Sequence, residues 1–332
     1  MTQSTYDVVA VGNAIIDVIA AVPDAFLAEE NIAKGAMTLI DEDRAEHLTA
    51  RMTNVTVAAG GSAANTMTGV ASFGGKAAYI GKVAEDELGA RFTQEFRAAG
   101  VAFDTPPRPG HPSTARSLIA VTPDGQRSMN TYLGASTLLS EKDIDAPLIQ
   151  SGATLFLEGY LFDRDEAKAA FVRASEIARA AGRKVSITLS DRFCVDRHRD
   201  SFRHLVKGHI DILFSNESEI TGLYENDDLG GALELARKEC PLVIVTRGEY
   251  GSLIAAGDET VEVKPMPTSR IVDSTGAGDQ YAAGFLFGYA KGRSLAECGA
   301  LASLAAAEVI SHIGPRPEQN LRALALTSGF RV

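Results

Sequence analysis

The second half of the chain alternates between short apolar runs and amphipathic stretches. Strand-like runs occur at 154–158, 184–189, 210–214 and 242–246, and helix-like stretches lie between them at 165–181, 192–207, 217–224 and 229–239. This alternation predicts βαβ units, in which helices connect parallel strands and cover both faces of the sheet. We therefore expect an α/β fold with a mainly parallel sheet flanked by helices.

The first half alternates less regularly, because a second group of strand-like runs is inserted in it. These runs lie at about 14–21, 36–41, 114–122 and 127–133, and the turn Pro123-Asp-Gly-Gln126 makes a hairpin of the last two. We expect them to form a small separate sheet. Internal repeats, low-complexity tracts and interdomain linkers are absent from the sequence, so we expect one domain spanning residues 1–332.

Composition narrows the possible partners. The chain has 332 residues, of which 45% are apolar, and a net charge of −11, which argues against nucleic acid or an anionic membrane as partner. Its three cysteines are far apart, so neither a disulfide framework nor a zinc site is expected. The N-terminus lacks the pattern of a signal peptide, and no apolar stretch reaches the ~20 residues that span a bilayer. We expect a cytoplasmic protein, either monomer or homodimer.

The segment 276–279 carries the clearest chemical signal. Gly276 and Gly278 allow a tight turn directly before the apolar helical run 281–290, and the start of a helix offers unpaired N–H groups and a positive dipole end to an anion. Asp279 lies in the first turn of that helix, where it could accept a hydrogen bond from a substrate hydroxyl. The alternative is an ordinary helix start with Asp279 as a first-turn charge.

Two segments nearer the N-terminus are candidates for binding hydroxyl groups. Asp17 interrupts an apolar run, where a carboxylate is unfavourable unless it meets a partner. Gly60 and Gly61 precede a helical run, and Asn65 could donate and accept hydrogen bonds from its first turns. The alternatives are a strand-end Asp that points to water and a plain glycine-rich loop.

These motifs resemble the two signatures of the ribokinase-like (PfkB) carbohydrate and nucleoside kinases. Asp273-Ser-Thr-Gly-Ala-Gly-Asp279 is similar to the second signature, and Val57-Ala-Ala-Gly-Gly-Ser-Ala-Ala-Asn65 to the first. The resemblance implies a doubly wound ribokinase-like sheet with a small β-sheet lid, and ATP with Mg²⁺ as cofactors. It makes Asp279 the catalytic base and the backbone of Gly276, Ala277 and Gly278 the anion hole. Asp273 and Thr275 become candidates for binding a monovalent cation such as K⁺.

The resemblance also implies the other ligand contacts. Asn13, Asp17, Gly60, Gly61 and Asn65 would surround the acceptor. Glu219, the last residue of an N-x-x-E element that begins at Asn216, would hold Mg²⁺ through water, although a helix cap explains this spacing equally well. The residues expected to contact ATP are Asn216, Thr246, Arg247, Gly248, Gly251 and, as a wall of the adenine pocket, His312.

Three segments resemble the adenosine kinase branch of this family: Gly12-Asn-Ala-Ile-Ile-Asp17, Ile187-Thr-Leu-Ser-Asp-Arg-Phe193 and 210–219. By that analogy a purine would lie among Ile15, Leu39, Leu133, Tyr160 or Leu161, and Phe193, unless these are ordinary core residues. The resulting hypothesis is transfer of the ATP γ-phosphate to the 5′-hydroxyl of adenosine. The alternatives are a sugar kinase acting on ribose, fructose or 2-keto-3-deoxygluconate, and a non-catalytic nucleotide-binding relative.

Overall fold

The structure is a computed structural model and describes residues 4–163, 165–268 and 270–332. Its strands are β1 (Tyr6–Val11), β2 (Ile15–Ala21), β3 (Met37–Leu39), β4 (Thr56–Gly60), β5 (Ala77–Ile80), β6 (Val101–Phe103), β7 (Ala115–Val121), β8 (Arg127–Tyr132), β9 (Gly152–Glu158), β10 (Lys184–Thr188), β11 (Ile212–Asn216), β12 (Leu242–Thr246), β13 (Ser252–Ala256) and β14 (Glu259–Val263). Its α-helices are α1 (Asp24–Glu29), α2 (Glu42–Arg51), α3 (Ser62–Ser72), α4 (Glu87–Ala98), α5 (Ala146–Ser151), α6 (Asp165–Ala180), α7 (Arg192–His209), α8 (Glu217–Tyr224), α9 (Leu229–Glu239), α10 (Ala277–Ala290), α11 (Leu295–Val309) and α12 (Leu321–Thr327).

The larger sheet has nine strands in the order β14-β13-β12-β11-β10-β9-β1-β5-β6. The seven strands from β12 to β6 run parallel, and the hairpin β13–β14 extends the β12 edge in antiparallel fashion. The predicted α/β fold with a mainly parallel sheet is confirmed. The order reverses at β1, which lies between β9 and β5, and such a reversal places ligands beyond the carboxyl ends of the strands.

Alternate residues of β1 show how both faces of this sheet are covered. Val8 and Ala10 belong to a core that α3, α4, α10 and α11 help to form, whereas Val9 and Val11 belong to a second core beneath α6, α7, α8 and α9. All four side chains are fully buried. Such two-sided burial explains why the parallel strands appear in the sequence as continuous apolar runs.

The smaller sheet has five strands in the order β3-β8-β7-β2-β4. Four of them lie in the runs expected for a small sheet, within one or two residues of the expected ends. The fifth, β4, was not expected as a strand: it ends at Gly60, in the glycine motif expected to precede a helix, and it pairs with β2 so that Asp17 lies opposite Ala58. The sequence predicts a helical run at 66–73. Helix α3 begins four residues earlier, at Ser62, directly after Gly61.

Several elements were not expected from the sequence: α2, α12, β6 and the hairpin β13–β14. Strand β14 has only one buried residue, Val263, so it shows no apolar run. Among the residues that the structure describes, no helix combines the length and the apolarity needed to cross a membrane.

Candidate active site

A cavity of about 580 Å³ lies between the carboxyl ends of the main strands and the small sheet. Glu158, Thr188, Asn216 and Thr246, the last residues of β9 to β12, line one side of it. Residues of β2, β3, β7 and β8 line the opposite side. The reversal in strand order at β1 and the small sheet thus create the cavity together.

Asp279 lies at one end of this cavity, in the first turn of α10. Its Oδ1 accepts a hydrogen bond from the Ser62 hydroxyl at 2.6 Å, and its Oδ2 accepts one from Asn65 Nδ2 at 3.1 Å. The helix begins after Gly276, whose φ of 79° is left-handed and whose Cβ, if present, would lie 2.6 Å from Pro315 Cα. The motif therefore brings a carboxylate and the N-terminus of a helix to one place, where Ala277 N donates to Ser274 O at 3.2 Å.

Asp17 and Asn65 lie at the same end of the cavity. A Cβ on Gly60 would lie 2.3 Å from Asp17 Oδ2, so only glycine lets β4 pass this close to the carboxylate. Asn65 Oδ1 accepts a hydrogen bond from Arg316 Nε at 3.3 Å, which leaves its amide nitrogen directed at Asp279. Gly61 and Asn13 also line this end.

Asp17 and Asp279 are only partly accessible to water, and their pKa values reflect this. Burial raises the pKa of Asp279 to about 6, although the hydrogen bonds from Ser62 and Asn65 act in the opposite direction. Burial likewise raises the pKa of Asp17 to about 6, against the lowering effect of the Arg316 and Arg127 charges. Perturbed carboxyl groups of this kind cluster at functional sites.

Glu158 is a third buried carboxylate beside the cavity, and sequence reasoning treated it only as a strand end. Its Oε1 accepts hydrogen bonds from Asn13 Nδ2 at 2.7 Å and Asn13 N at 3.3 Å, and its Oε2 accepts one from Ala63 N at 2.7 Å. Burial raises its pKa to about 7. The side-chain amide of Asn13 therefore donates to Glu158, and Glu158 connects the β1–β2 turn to the start of α3.

Asn216 and Glu219 form a reciprocal cap at the start of α8. Glu219 N donates to Asn216 Oδ1 at 2.9 Å, while Glu219 accepts from Asn216 Nδ2 at 2.7 Å and from Asn216 N at 2.9 Å. Helix capping therefore accounts for the spacing of the two residues. Glu219 nevertheless lines the cavity, and burial raises its pKa to about 7.

A magnesium ion fits beside Glu219, because a buried carboxylate that meets only neutral donors gains from a nearby cation. Among the residues described, no group of three or more His, Cys, Asp or Glu side chains could hold a metal ion. Mg²⁺ keeps several waters and binds phosphate oxygens, so a single protein carboxylate is enough to help hold it.

Asp273, three residues before Gly276, has a different environment. Its Oδ1 accepts a hydrogen bond from Thr275 N at 3.0 Å, and its Oδ2 accepts one from Gly314 N at 3.0 Å and forms an ion pair with Arg127 of β8. Burial would raise the pKa of Asp273, but these N–H donors and the Arg127 charge lower it. Thr275 lines the cavity.

Much of the remaining cavity wall is apolar. Ile15, Leu39, Leu133, Tyr160 and Phe193 line it as the sequence suggested, and so do residues not foreseen there: Met37, Ile119 and Met129. Leu161 belongs instead to the buried core under α6 and α7, so Tyr160 is the residue of that pair that reaches the cavity. Phe193 is 77% exposed, which is unusual for a phenylalanine.

Four residues expected at the nucleotide do not line this cavity: Arg247, Gly248, Gly251 and His312. Arg247 bonds to Glu262 at 2.6 Å and to the Tyr250 carbonyl at 3.0 Å, while His312 lies 3.3 Å from Glu308. Their assignment to ATP stays a prediction, whereas Asn216 and Thr246 lie on the cavity wall.

Sequence reasoning missed Ser62, Arg127 and Arg316 as well as Glu158. Ser62 stands inside the glycine motif, where its hydroxyl follows directly on Gly61, and Glu158 ends a buried strand at the edge where ligands are expected. The positions of Ser62 and Glu158 could therefore have been recognised from the sequence. Arg127 and Arg316 give no such signal, because their partners Asp273 and Asn65 are 146 and 251 positions away.

The fold and this arrangement of residues are those of an α/β phosphotransferase that acts on an alcohol. The chain belongs to the pfkB family of carbohydrate kinases, whose pattern matches residues 6–320. It is 52% identical to the adenosine kinase from Sinorhizobium meliloti over 98% of this chain and 100% of that one, with a TM-score of 0.92. The predicted family and enzyme class are thereby confirmed.

Two further relatives show how the family divides. A probable sugar kinase from Rhizobium etli is 48% identical over 98% of this chain and 99% of its own, with a TM-score of 0.93. Adenosine kinase from Saccharomyces cerevisiae is 26% identical over 94% of this chain and 96% of its own. The chain thus resembles proteins named for nucleoside acceptors and proteins named for sugar acceptors.

Proposed function

We propose that this enzyme transfers the γ-phosphate of ATP to the 5′-hydroxyl of adenosine or a closely related nucleoside. The observation that carries this proposal is the make-up of the cavity wall, which combines the polar group Asp17, Asn65 and Asp279 with apolar side chains of β2, β3 and β8. A nucleoside has the matching halves, since its ribose carries hydroxyl groups and its base is flat and largely apolar on its faces. The similarity to the Sinorhizobium meliloti enzyme agrees with this assignment.

In this proposal Asp279 accepts a hydrogen bond from the 5′-hydroxyl and aligns its oxygen with the γ-phosphorus. A carboxylate with a pKa of about 6 is a weak base for an alcohol, but phosphoryl transfer depends mainly on alignment and on neutralising charge. Ser62 and Asn65 hold the two oxygens of Asp279 in place, so little ordering of this group remains when substrate binds. Asp17 binds ribose hydroxyls.

The backbone N–H groups of Gly276, Ala277 and Gly278 take up the negative charge of the transferred phosphate at the N-terminus of α10. Asn216 and Thr246 contact ATP from the carboxyl ends of β11 and β12. Mg²⁺, when bound, neutralises phosphate charge, and Glu219 would hold it through water. The small sheet excludes water that would otherwise compete with the alcohol as acceptor.

A sugar kinase is the second candidate, favoured by the 48% identity to the Rhizobium etli protein. The polar end of the cavity would serve ribose, fructose or 2-keto-3-deoxygluconate as well as it serves a nucleoside. A small sugar would, however, leave the apolar side chains of β2, β3 and β8 without a ligand to cover them, which is unfavourable for apolar surface.

The experiment that separates the two is an acceptor panel. Purified enzyme with Mg-ATP is offered adenosine, guanosine, ribose, fructose and 2-keto-3-deoxygluconate at equal concentrations, and the phosphorylated product is measured directly. We expect the highest kcat/KM with adenosine. Turnover of a sugar with none of adenosine would reject the nucleoside assignment while leaving the roles of residues 276–279 in place.

The Asp279→Asn variant supplies the background rate in the same panel. Product formation by that variant at the wild-type rate would remove Asp279 from the mechanism, whichever acceptor is used.

A further inference from the structure

An ion pair joins the small sheet to the loop that precedes the anion hole. Arg127 opens β8, Asp273 precedes Gly276 by three residues, and their side chains are only 9% and 8% exposed. The pair therefore lies in the interior, next to Ser274 and Thr275 on the cavity wall. Charges with so little access to water are screened weakly, so each strongly affects what else can bind nearby.

This arrangement disagrees with the expectation that Asp273 helps bind K⁺. A potassium site is a shell of oxygen atoms that replaces the water around the ion. Around Asp273 the structure instead places hydrogen-bond donors, namely the N–H groups of Thr275 and Gly314 and the Arg127 guanidinium. A cation at this carboxylate would meet a positive charge already held there, and the two would repel each other.

We propose that the Arg127 guanidinium takes the place of a monovalent cation at Asp273, so that the kinase activity of this enzyme does not require K⁺. The positive charge then belongs to the chain itself, and it comes from the small sheet. This role of Arg127 depends on the contacts of Asp273 and on the family activity, so it is the same for a sugar acceptor and for a nucleoside.

The first test uses wild-type enzyme. Its rate with saturating Mg-ATP and its melting temperature without substrate are measured in KCl, NaCl and tetramethylammonium chloride at equal ionic strength. We expect neither quantity to depend on which cation is present. A faster rate or a higher melting temperature specifically in KCl would overturn the proposal, since an ion that binds only the folded state stabilises it.

The second test removes the charge. Arg127→Gln should slow turnover at least about tenfold in tetramethylammonium chloride, because an electrostatic group beside the anion hole is lost. KCl should restore most of that rate and raise the melting temperature of the variant, since the loss of Arg127 removes the repelling charge and opens one acceptor position on Asp273 Oδ2 beside the Gly314 N–H. If KCl neither restores the rate of Arg127→Gln nor raises its melting temperature, the proposal that Arg127 takes the place of a monovalent cation is rejected.

Lys34→Gln is the matched control. Lys34, between α1 and β3, bonds to Asp124 at 2.7 Å in the turn just before β8, so its replacement removes a solvent-exposed cation that contacts the same hairpin. This variant should behave as wild type in all three salts. If Arg127→Gln fails to fold, the wild-type comparison of rate and melting temperature still decides the question. The acceptor is whichever compound the panel shows to be phosphorylated, so a failure of the adenosine assignment changes the substrate and leaves this test intact.

Discussion

Two groups of carboxylates with limited access to water have opposite environments in this molecule. Glu30, at the end of α1, is 7% exposed and accepts hydrogen bonds from Arg51 Nε at 2.8 Å and Arg44 Nη1 at 2.9 Å, with His47 Nε2 at 2.8 Å. Burial would raise the pKa of Glu30, but these partners outweigh it and lower the pKa to about 2. Its charge is therefore matched within the protein.

Asp279 accepts hydrogen bonds from the neutral side chains of Ser62 and Asn65, and its pKa rises to about 6. A buried carboxylate with neutral partners carries a desolvation penalty that the protein does not offset. The difference shows how the two regions serve the molecule. The Glu30 cluster joins α1 to α2 and stabilises the fold. The cavity instead holds carboxylates whose shielding from water is unfavourable for folding. Such unfavourable placement is typical of functional sites.

The Asp279→Asn variant gives the strongest test of this difference between the cavity carboxylates and the Glu30 cluster. We expect kcat to fall by roughly 10²- to 10⁴-fold, because the alcohol loses its hydrogen-bond acceptor and its alignment. The melting temperature at pH 8 should stay the same or rise, since a buried charge is removed without loss of shape. Product formation and thermal unfolding measured on one preparation test both. A large loss of stability would show that Asp279 is structural.

Glu30→Gln is the counterpart in the other region. Removing this carboxylate charge should lower the free energy of unfolding by about 2 kcal/mol, because Arg44 and Arg51 lose a charged partner. The value of kcat should not change at temperatures where the variant is folded. Denaturant unfolding at pH 7 and a kinase assay provide the two measurements, and a fall in kcat without a fall in stability would contradict the division between the regions.

The pH dependence of stability should separate the two groups by sign. Asp17 and Asp279 have folded pKa values of about 6, above those of an unfolded chain, so their contribution is fully present below about pH 4 and is lost as pH rises through 6. Glu30 has a folded pKa of about 2, so its contribution is present above about pH 4.5 and is lost as pH falls towards 2. Denaturant unfolding between pH 3 and pH 8 should show that Asp279→Asn reduces the first dependence, with the share of Asp17 remaining, and that Glu30→Gln reduces the second.

Catalytic activity should increase with pH, whereas the stability contributed by the cavity carboxylates decreases. Since the ionised form of Asp279 accepts the hydroxyl proton, kcat/KM should fall about tenfold per pH unit below about pH 6 and level off above it. A flat profile down to pH 5 in an enzyme that remains folded would show that no group with this pKa controls the reaction.

The sequence predicted the parts of this molecule that depend on local pattern. The parallel strands show as apolar runs because both faces of their sheet are buried, and the turn before α10 shows because Gly276 must take a left-handed conformation. The contacts between distant segments were not predictable. Ser62 meets Asp279 across 217 positions, and a single sequence carries no periodicity over such a span. The Glu30 cluster was missed for the same reason, since Arg51 is 21 positions away.

The smallest expected effect concerns Phe193, another residue held in an unfavourable place. Its ring is 77% exposed at the cavity, whereas Phe156 and Phe202 are fully buried in the core. If Phe193 stacks on the base of the acceptor, Phe193→Ala should raise KM for adenosine about fivefold, equivalent to about 1 kcal/mol of aromatic contact. It should leave kcat and the melting temperature nearly unchanged, because an exposed ring contributes little to folding.

Leu326→Ala, at a 55% exposed position on α12 away from the cavity, is the control and should alter none of the three. An unchanged KM in Phe193→Ala would show that the base does not reach this end of α7, whereas a fall in stability would place Phe193 with the structural residues rather than with the cavity.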